Sequence, residues 1–197
     1  MGLLSRVKRK FRSAWTDLRY GAILKGKVAS PYSHLGAVDT EHTGYDILPP
    51  LFANQVRPGD VLVNIGCGKG RVLNWWLDNH RSHRMYGIEL DPAVAERTRD
   101  RLKRFSNVTI LTGDACVILP DDASLLYMFH PFNAQVMQRF ITTILKTPIA
   151  QGGLPRRIVY YNSQHLDLFE AIPNFTVRRV DGVPTHHKSA VIDYKGN

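Results

Sequence analysis

One turn of the chain constrains its fold more than any other feature. A short apolar run, Val61–Ile65, leads directly into three glycines at alternate positions, Gly66, Gly68 and Gly70. Glycine permits a tight turn and lets a ligand lie against the backbone, so a strand entering such a turn before a helix is typical of nucleotide-binding α/β sheets. In the G-x-G-x-x-G pattern of dinucleotide-binding proteins, the third glycine stands one residue later, where Arg71 is found here. The spacing therefore argues against a nicotinamide or flavin cofactor.

Strand-like and helix-like segments alternate from residue 60 to the end of the chain. Apolar runs predict strands at residues 61–65, 85–88, 108–111, 124–129, 157–161, 175–180 and 189–194. The helices are predicted at residues 70–79, from Asp91-Pro92 onward, at 134–146 and at 164–171. Such alternation indicates an α/β protein with a doubly wound sheet. The last two strands have no helix between them, so we expect a Rossmann-like, mostly parallel sheet of seven strands with a C-terminal antiparallel hairpin.

Two acids follow the second and third predicted strands. Glu89 stands at the end of the second strand, 19 residues beyond Gly70, where a carboxylate can accept both hydroxyl hydrogens of a ribose. Asp114 follows the third strand and could accept a hydrogen bond from an adenine amino group. The pattern predicts a ligand that contains a nucleoside. The alternative is that the two acids are a helix cap and part of a solvated turn.

The glycine turn and the two acids, in this order, resemble the class I S-adenosylmethionine-dependent methyltransferases over about residues 43–194. The resemblance implies that S-adenosylmethionine is the cofactor. It also implies that the three glycines cradle the methionine part and the ribose, that Glu89 holds the ribose, and that Asp114 with Ala115 binds the adenine. No metal ion is expected.

The resemblance extends upstream and contains one departure. Residues 33–37 and 43–49 look like a group of small bacterial methyltransferases with mostly unassigned acceptors, in which Thr43 and Tyr45 would line the methionine end of the cofactor. The family usually has an acid two residues before the first glycine, and here that position is Asn64. An amide still forms hydrogen bonds but adds no negative charge near a sulfonium, so a cofactor-binding fold without activity stays open as an alternative.

The acceptor is expected at the end of the fourth predicted strand, because reactants in open α/β sheets meet outside the carboxyl ends of the strands. Residues 130–132 resemble the Asn-Pro-Phe type of motif found there in many methyltransferases, with His130 in place of the first polar residue. A histidine suits removal of a proton from a hydroxyl or an ammonium near neutral pH. We expect His130 to be the catalytic base and Pro131, Phe132 and Asn162 to contact the substrate. The alternative for His130 is a buried side chain held by the backbone.

The N-terminus carries most of the net charge. Residues 1–27 hold eight basic side chains and one acid, and therefore +7 of the formal +9. Residues 3–19 predict an amphipathic helix whose apolar side chains recur at spacings of three and four: Leu4, Val7, Phe11, Trp15 and Leu18. This helix could lie on an anionic membrane, or it could pack its apolar stripe on the main domain. A nucleic-acid-binding arm is a weaker alternative.

These observations predict three segments: a basic amphipathic helix in residues 1–27, a loop region lining the site in 28–50, and a methyltransferase domain in 51–197. The expected reaction is methyl transfer to a hydroxyl or amine of a small-molecule or glycan-type acceptor, with the membrane surface as one place for it. The alternatives are a protein-lysine methyltransferase and a non-catalytic binding module for membrane or nucleic acid.

Location is predicted from two simpler features. Cys67 and Cys116 are too few for a disulfide framework and fit a reducing cytoplasm. No apolar run approaches the roughly 18 residues that cross a bilayer. We expect a cytoplasmic protein, with contact at the inner face of the membrane as the open alternative.

Overall fold

The computed structural model describes residues 3–24, 26, 31–38, 43–147, 154–183 and 186–196, with side chains from residue 11 onward. Its seven strands are β1 (Val61–Ile65), β2 (Arg84–Glu89), β3 (Val108–Thr112), β4 (Leu125–Phe129), β5 (Arg157–Tyr161), β6 (Phe175–Arg179) and β7 (Ser189–Tyr194). The helices are α1 (Leu3–Arg19), α2 (Leu48–Phe52), α3 (Arg71–Asn79), α4 (Pro92–Leu102), α5 (Ala115–Ile118), α6 (Ala134–Lys146) and α7 (Asp167–Glu170), with a 3₁₀ turn at Ser33–Leu35.

All seven strands form one sheet in the order β3-β2-β1-β4-β5-β7-β6. The first five are parallel, while β7 runs antiparallel to both β5 and β6. This confirms the predicted doubly wound sheet and its closing hairpin. The strand order reverses between β1 and β4, and the carboxyl ends of neighbouring strands separate at such a switch point to leave a crevice.

Side chains alternate between the two faces of the sheet and form two apolar layers. Leu62 and Val159 face the side covered by α2 and α3, whereas Val63, Leu126 and Ile158 face the side covered by α6 and α7. Each layer contains large aromatic residues that are shielded from water, and these residues supply much of the apolar area buried on folding. The central strands are therefore fixed on both faces, and only their ends are free to carry a site.

Two short helices were not expected from the sequence. The first turn of α2 contains Pro49 and Pro50, positions at which a helix does not need the missing N–H groups. Asp114 caps α5 through a hydrogen bond from the backbone N–H of Cys116. The helix expected at 164–171 is shorter, Asp167–Glu170. Helices of four or five residues lack the periodicity that sequence patterns detect.

The N-terminal helix is present where it was predicted, but its apolar stripe does not pack on the domain. Phe11 is 74% exposed, Trp15 69% and Leu18 53%, while Asp17 and Tyr20 are buried. The side chains of Leu4 and Val7 lie outside the described residues. The expectation that the stripe packs on the domain is therefore wrong for its described part, because the helix docks through its other face.

The buried face of α1 is held by a carboxylate. Asp17 accepts hydrogen bonds from Arg71 Nη2 at 2.7 Å, from the Tyr45 hydroxyl at 2.8 Å and from the backbone N–H of Leu24 at 3.1 Å. Tyr20 packs against the ring of Phe105, with the ring centroids 5.6 Å apart. Asp17, Tyr20 and Leu24 are thus buried against the domain, so the end of α1 is joined to the domain rather than separated from it.

The loop region expected at residues 28–50 is described at 31–38 and 43–50, while 28–30 and 39–42 lie outside the described residues. In the described part of the chain, no helix is long and apolar enough to cross a membrane.

Replacing Asp17 tests the role of this carboxylate in the fold. Asp17→Ala leaves the Arg71 guanidinium and the Tyr45 hydroxyl without their acceptor, and should lower the free energy of unfolding by about 3–5 kcal/mol. Urea denaturation measures the loss. Asp100→Ala is the matched control, because its exposed pair with Lys103 should contribute less than about 1 kcal/mol. Equal stability of the two variants would contradict this account.

Candidate active site

A cavity opens at the switch point, above the carboxyl ends of β1, β2 and β4. Its walls come from the glycine turn, from the ends of β2, β3 and β4, from α6 and from the segment around the 3₁₀ turn. The lining residues are Leu35, Ala37, Val38, Gly66, Ile88, Glu89, Leu90, Gly113, Asp114, Ala115, Phe129, His130, Pro131, Phe132, Val136 and Arg139. The predicted cofactor residues Gly66, Glu89, Asp114 and Ala115 and the predicted acceptor residues His130, Pro131 and Phe132 therefore border one space.

The glycine turn has the backbone that only glycine adopts without strain. Gly66, Gly68 and Gly70 have φ angles of 66°, 51° and 76°. A Cβ atom on Gly70 would lie 3.0 Å from the Thr98 methyl carbon, and one on Gly66 would lie 3.4 Å from Pro131. Gly66 itself is exposed to the cavity. Its bare backbone is therefore the part of the turn that a ligand can approach closely, whereas Gly68 and Gly70 shape the turn without lining the cavity.

Cys67, inside the turn, is not a reactive thiol. Its side chain is buried beneath β2, where a Cβ on Gly87 would lie 2.8 Å from Sγ. Burial, together with the neighbouring Glu89, raises the pKa of the Cys67 thiol well above its ordinary value. Gly87 on β2 therefore has no side chain where one would collide with the Cys67 sulfur of the turn.

Glu89 is fixed by the backbone on both oxygens. The N–H of Gly68 donates to Oε2 at 2.7 Å and the N–H of Asp91 donates to Oε1 at 3.0 Å. Burial raises the pKa of this carboxyl, and the backbone N–H groups of Asp91, Gly68 and Leu90 oppose that shift because they favour the charged form. Glu89 also lines the cavity, where its carboxylate can accept a hydrogen bond from a ligand hydroxyl.

Asp114 caps a helix and also lines the cavity. Its Oδ1 caps α5 by accepting from the N–H of Cys116 at 2.9 Å, and its Oδ2 pairs with Arg139 Nη2 at 2.9 Å. Arg139 was missed by the sequence analysis. Asn133 caps α6, which places Val136 and Arg139 three residues apart on one helix face, and that spacing could have indicated both as lining residues.

Thr43, Tyr45 and Asn64 are placed differently from the expectation. The Thr43 hydroxyl is 2.6 Å from the Tyr127 hydroxyl, and both groups are buried. The Tyr45 hydroxyl donates to Asp17, and Asn64 is buried on β1. None of the three lines the cavity described above. Tyr45 joins the network of Asp17 and Asn74 on the side of α3, and Thr43 contacts β4 through Tyr127.

His130 lines the cavity in a strained backbone conformation. Its φ is 39°, which is uncommon for a residue with a side chain, and such strain often occurs at functional sites. Its Nδ1 is buried and has no hydrogen-bond partner among the described residues. Burial, and to a lesser extent the His165 ring at 5.2 Å, lowers the pKa of His130. The imidazole is therefore neutral at pH 7 and can accept a proton.

The segment at Ala37 and Val38 covers the end of β4. Ala37 forms an isolated antiparallel bridge with Phe132, and the N–H of Val38 donates to the carbonyl of Pro131 at 3.2 Å. The N–H of Asn133 donates to Gly36. These backbone contacts hold Pro131 and Phe132 against the cavity, and they place part of the predicted loop region at the site.

Asn162 lies at the neighbouring strand end but does not line the cavity. Its φ is 52°, and its Oδ1 accepts from Gln164 at 2.7 Å and lies 3.1 Å from His187 Nδ1. The His187 ring packs on Phe129 and Tyr161. Within the described ranges, no three His, Cys, Asp or Glu side chains are arranged to hold a metal ion.

Residues 62–147 match the family described as a methyltransferase domain. Over 57 residues the chain is 39% identical to a probable cobalt-precorrin-6B C(15)-methyltransferase (decarboxylating) of Archaeoglobus fulgidus, covering 29% of this chain and 32% of that protein. Over 84 residues it is 34% identical to a protein-L-isoaspartate O-methyltransferase of Ignicoccus hospitalis, covering 41% of this chain and 39% of that protein. The chain thus spans less than two-fifths of the length of either curated relative.

Solved structures share the fold at low sequence identity. The SAH-bound structure of a Podospora anserina methyltransferase gives a TM-score of 0.60 at 16% identity, covering 94% of this chain and 87% of that chain. The glycine turn, Glu89 and the switch-point cavity all fall within or beside the matched residues 62–147. Residues 62–147 therefore resemble a methyltransferase domain, and the described chain shares the fold of solved methyltransferase structures.

Proposed function

We propose that this protein transfers the methyl group of S-adenosylmethionine to a hydroxyl or an amine of a small-molecule or glycan-type acceptor. One observation carries the proposal: Glu89 and His130 line the same cavity. A nucleoside-binding acid and a group able to take a proton therefore face the same space. The two free cysteines, Cys67 and Cys116, suit a reducing cytoplasm as the place of action.

The cofactor side of the cavity fits a ribose and an adenine. Glu89 lines the cavity as an acceptor of hydroxyl hydrogens, and Gly66 presents bare backbone there. Asp114 and Ala115 border the same wall, where a carboxylate oxygen and a small apolar side chain suit an adenine edge and face. S-adenosylmethionine bound in this way would supply an electrophilic methyl group.

The acceptor side places His130 as the proton acceptor. Methyl transfer to oxygen or nitrogen leaves a proton on the acceptor atom, and a neutral imidazole can remove it. Phe129, Phe132 and Leu35 supply apolar walls around the histidine, which exclude water and orient an acceptor. The absence of an amide or acid at position 130 argues against transfer to a nucleobase amine, because such amines are usually held by a polar side chain at this point.

The relatives do not settle the acceptor. Their names give a precorrin carbon, an isoaspartyl residue and a small-subunit ribosomal RNA as targets. The matches cover only 29%, 41% and 33% of this chain, and a shared fold does not fix the acceptor. The hydroxyl or amine assignment therefore depends on the chemistry of His130.

Glu89→Gln tests the cofactor site. The variant removes a charged acceptor of ribose hydroxyls and should weaken binding of S-adenosylmethionine and of its demethylated product about tenfold or more. Isothermal calorimetry measures both affinities. Glu96→Gln is the control, since Glu96 is exposed on α4 and outside the cavity. Unchanged affinity in Glu89→Gln, or tight binding of NAD, would refute the assigned cofactor site.

His130→Ala tests the proton acceptor. A purified protein incubated with methyl-labelled cofactor and fractionated cell extract should label one fraction, which supplies the acceptor. With that acceptor, His130→Ala should lower turnover by about 10²–10⁴-fold while cofactor affinity stays within a factor of about two. His80→Ala, in a histidine outside the cavity, should change neither. Full turnover in His130→Ala would return this histidine to a structural role, and no labelling of any fraction would favour a non-catalytic binding module.

The pH dependence tests the same residue independently. The neutral imidazole is the working form, so kcat/KM should be flat near pH 7 and fall as the pH drops through the lowered pKa of His130, below 6.5. His165→Ala removes one of the groups that lower this pKa and should shift the acid limb to higher pH. An acid limb unaffected by His165→Ala would show that another group titrates.

A further inference from the structure

The outward face of α1 is apolar. Phe11 and Trp15 on this face are the aromatic side chains that stand among the exposed large apolar residues of the described chain. Phe11, Trp15 and Leu18 are all more than half exposed and lie on one face, since residues four and seven apart are neighbours on a helix. The sequence continues this stripe toward the N-terminus through Leu4 and Val7 at the same spacing. A row of large apolar side chains on one exposed face marks an interaction surface rather than scattered exposure.

The opposite face of α1 holds this orientation. Asp17 pairs with Arg71, and the Tyr20 hydroxyl donates to Asp78 at 2.7 Å. Arg101 donates to the carbonyl of Tyr20 at 2.8 Å and Arg104 to the carbonyl of Arg19 at 2.6 Å. The C-terminal end of the helix is thus fixed to α3 and α4, and the apolar stripe is exposed because the docked face is the other one.

The charge of α1 is predominantly basic. Six basic residues and a single acid lie within α1: Arg6, Lys8, Arg9, Lys10, Arg12 and Arg19, with Asp17 as the acid. Asp17 is buried against Arg71, and Arg19 pairs with Asp78 at 3.1 Å, so the net charge of the helix itself stays positive. The basic surface continues onto the domain, where Arg81 and Arg104 lie over the ring of Phe105 beside Tyr20.

We propose that α1 is a membrane-docking helix that lies in the headgroup region of an anionic lipid surface. Phe11, Trp15 and Leu18 would enter the boundary of the acyl chains while the flanking lysines and arginines contact lipid phosphates. Nucleic acid uses the cations but leaves three large apolar side chains in water. A helical protein partner would cover the apolar stripe, but it would not account for the excess of basic residues in the same helix. The proposal is independent of the methyl-transfer reaction.

Vesicle co-sedimentation of the full chain tests the proposal. The protein should bind phosphatidylcholine vesicles that contain phosphatidylglycerol and ignore vesicles of phosphatidylcholine alone. Salt near 0.5 M should release it, because the Debye length then falls to about 4 Å. Each neutralised cation, as in Arg12→Gln, should lower the partition coefficient about fivefold. A protein that ignores anionic vesicles overturns the proposal.

A matched pair of variants distinguishes binding through the apolar stripe of α1 from non-specific adsorption by any exposed apolar side chain. Phe11→Ser with Trp15→Ser should weaken vesicle binding about tenfold or more, since both side chains leave the acyl boundary. Val117→Ser is the control, because Val117 is 74% exposed, as Phe11 is, but lies on α5. Equal binding by the double variant and the control would overturn the assignment to α1.

Tryptophan fluorescence reports the depth of the helix directly. Trp15 is exposed, whereas Trp76 is fully buried, so vesicle binding should shift the emission of Trp15 to shorter wavelength. Trp15→Phe should lose that shift yet still sediment with anionic vesicles. An unshifted spectrum on bound vesicles, RNA binding in place of vesicle binding, or a self-associated form that buries Trp15 would each overturn the proposal.

Discussion

The parallel pairing of β1 with β2 on one side and β4 on the other positions every group proposed for the reaction. The strand order reverses at β1, so its carboxyl end has no crossover helix above it, and the glycine turn projects into the gap. Glu89 at the end of β2 then closes onto that turn through Gly68, and His130 at the end of β4 faces it from the other side. The site is thus formed at the carboxyl ends of β1, β2 and β4, and the helices packed on the sheet hold these strands in place.

The sequence predicts this framework because its signals are local. The seven strands, the glycine turn and Glu89 are each readable within a few residues. The role of Asp17 could not be found in this way, since its partner Arg71 lies 54 residues away along the chain. The same limit applies to Thr43 and Tyr45, whose contacts with Tyr127 and Asp17 also join distant parts of the chain.

The amphipathic helix shows a different limit. Spacing of three and four predicts a helix and names its apolar face, but it does not say which face is turned inward. In α1 the inward face carries a carboxylate and a tyrosine, and the buried ion pair between Asp17 and Arg71 decides the orientation. Asp17 marks the inward face because it is a polar residue at a buried position of the helix. This can be recognised only when its partner Arg71 on α3 is known.

Arg101 gives the N-terminal helix a part in the behaviour of the glycine turn. One guanidinium group donates to the carbonyl of Tyr20 at the end of α1, to Asn74 on α3 and to the carbonyl of Lys69 within the turn. The helix and the turn therefore restrict one another through a shared side chain. Through Arg101, a ligand that orders the turn is expected to restrict the helix, and a surface that holds the helix is expected to restrict the turn. Two sites joined in this way influence each other equally in both directions, and no change of shape is needed.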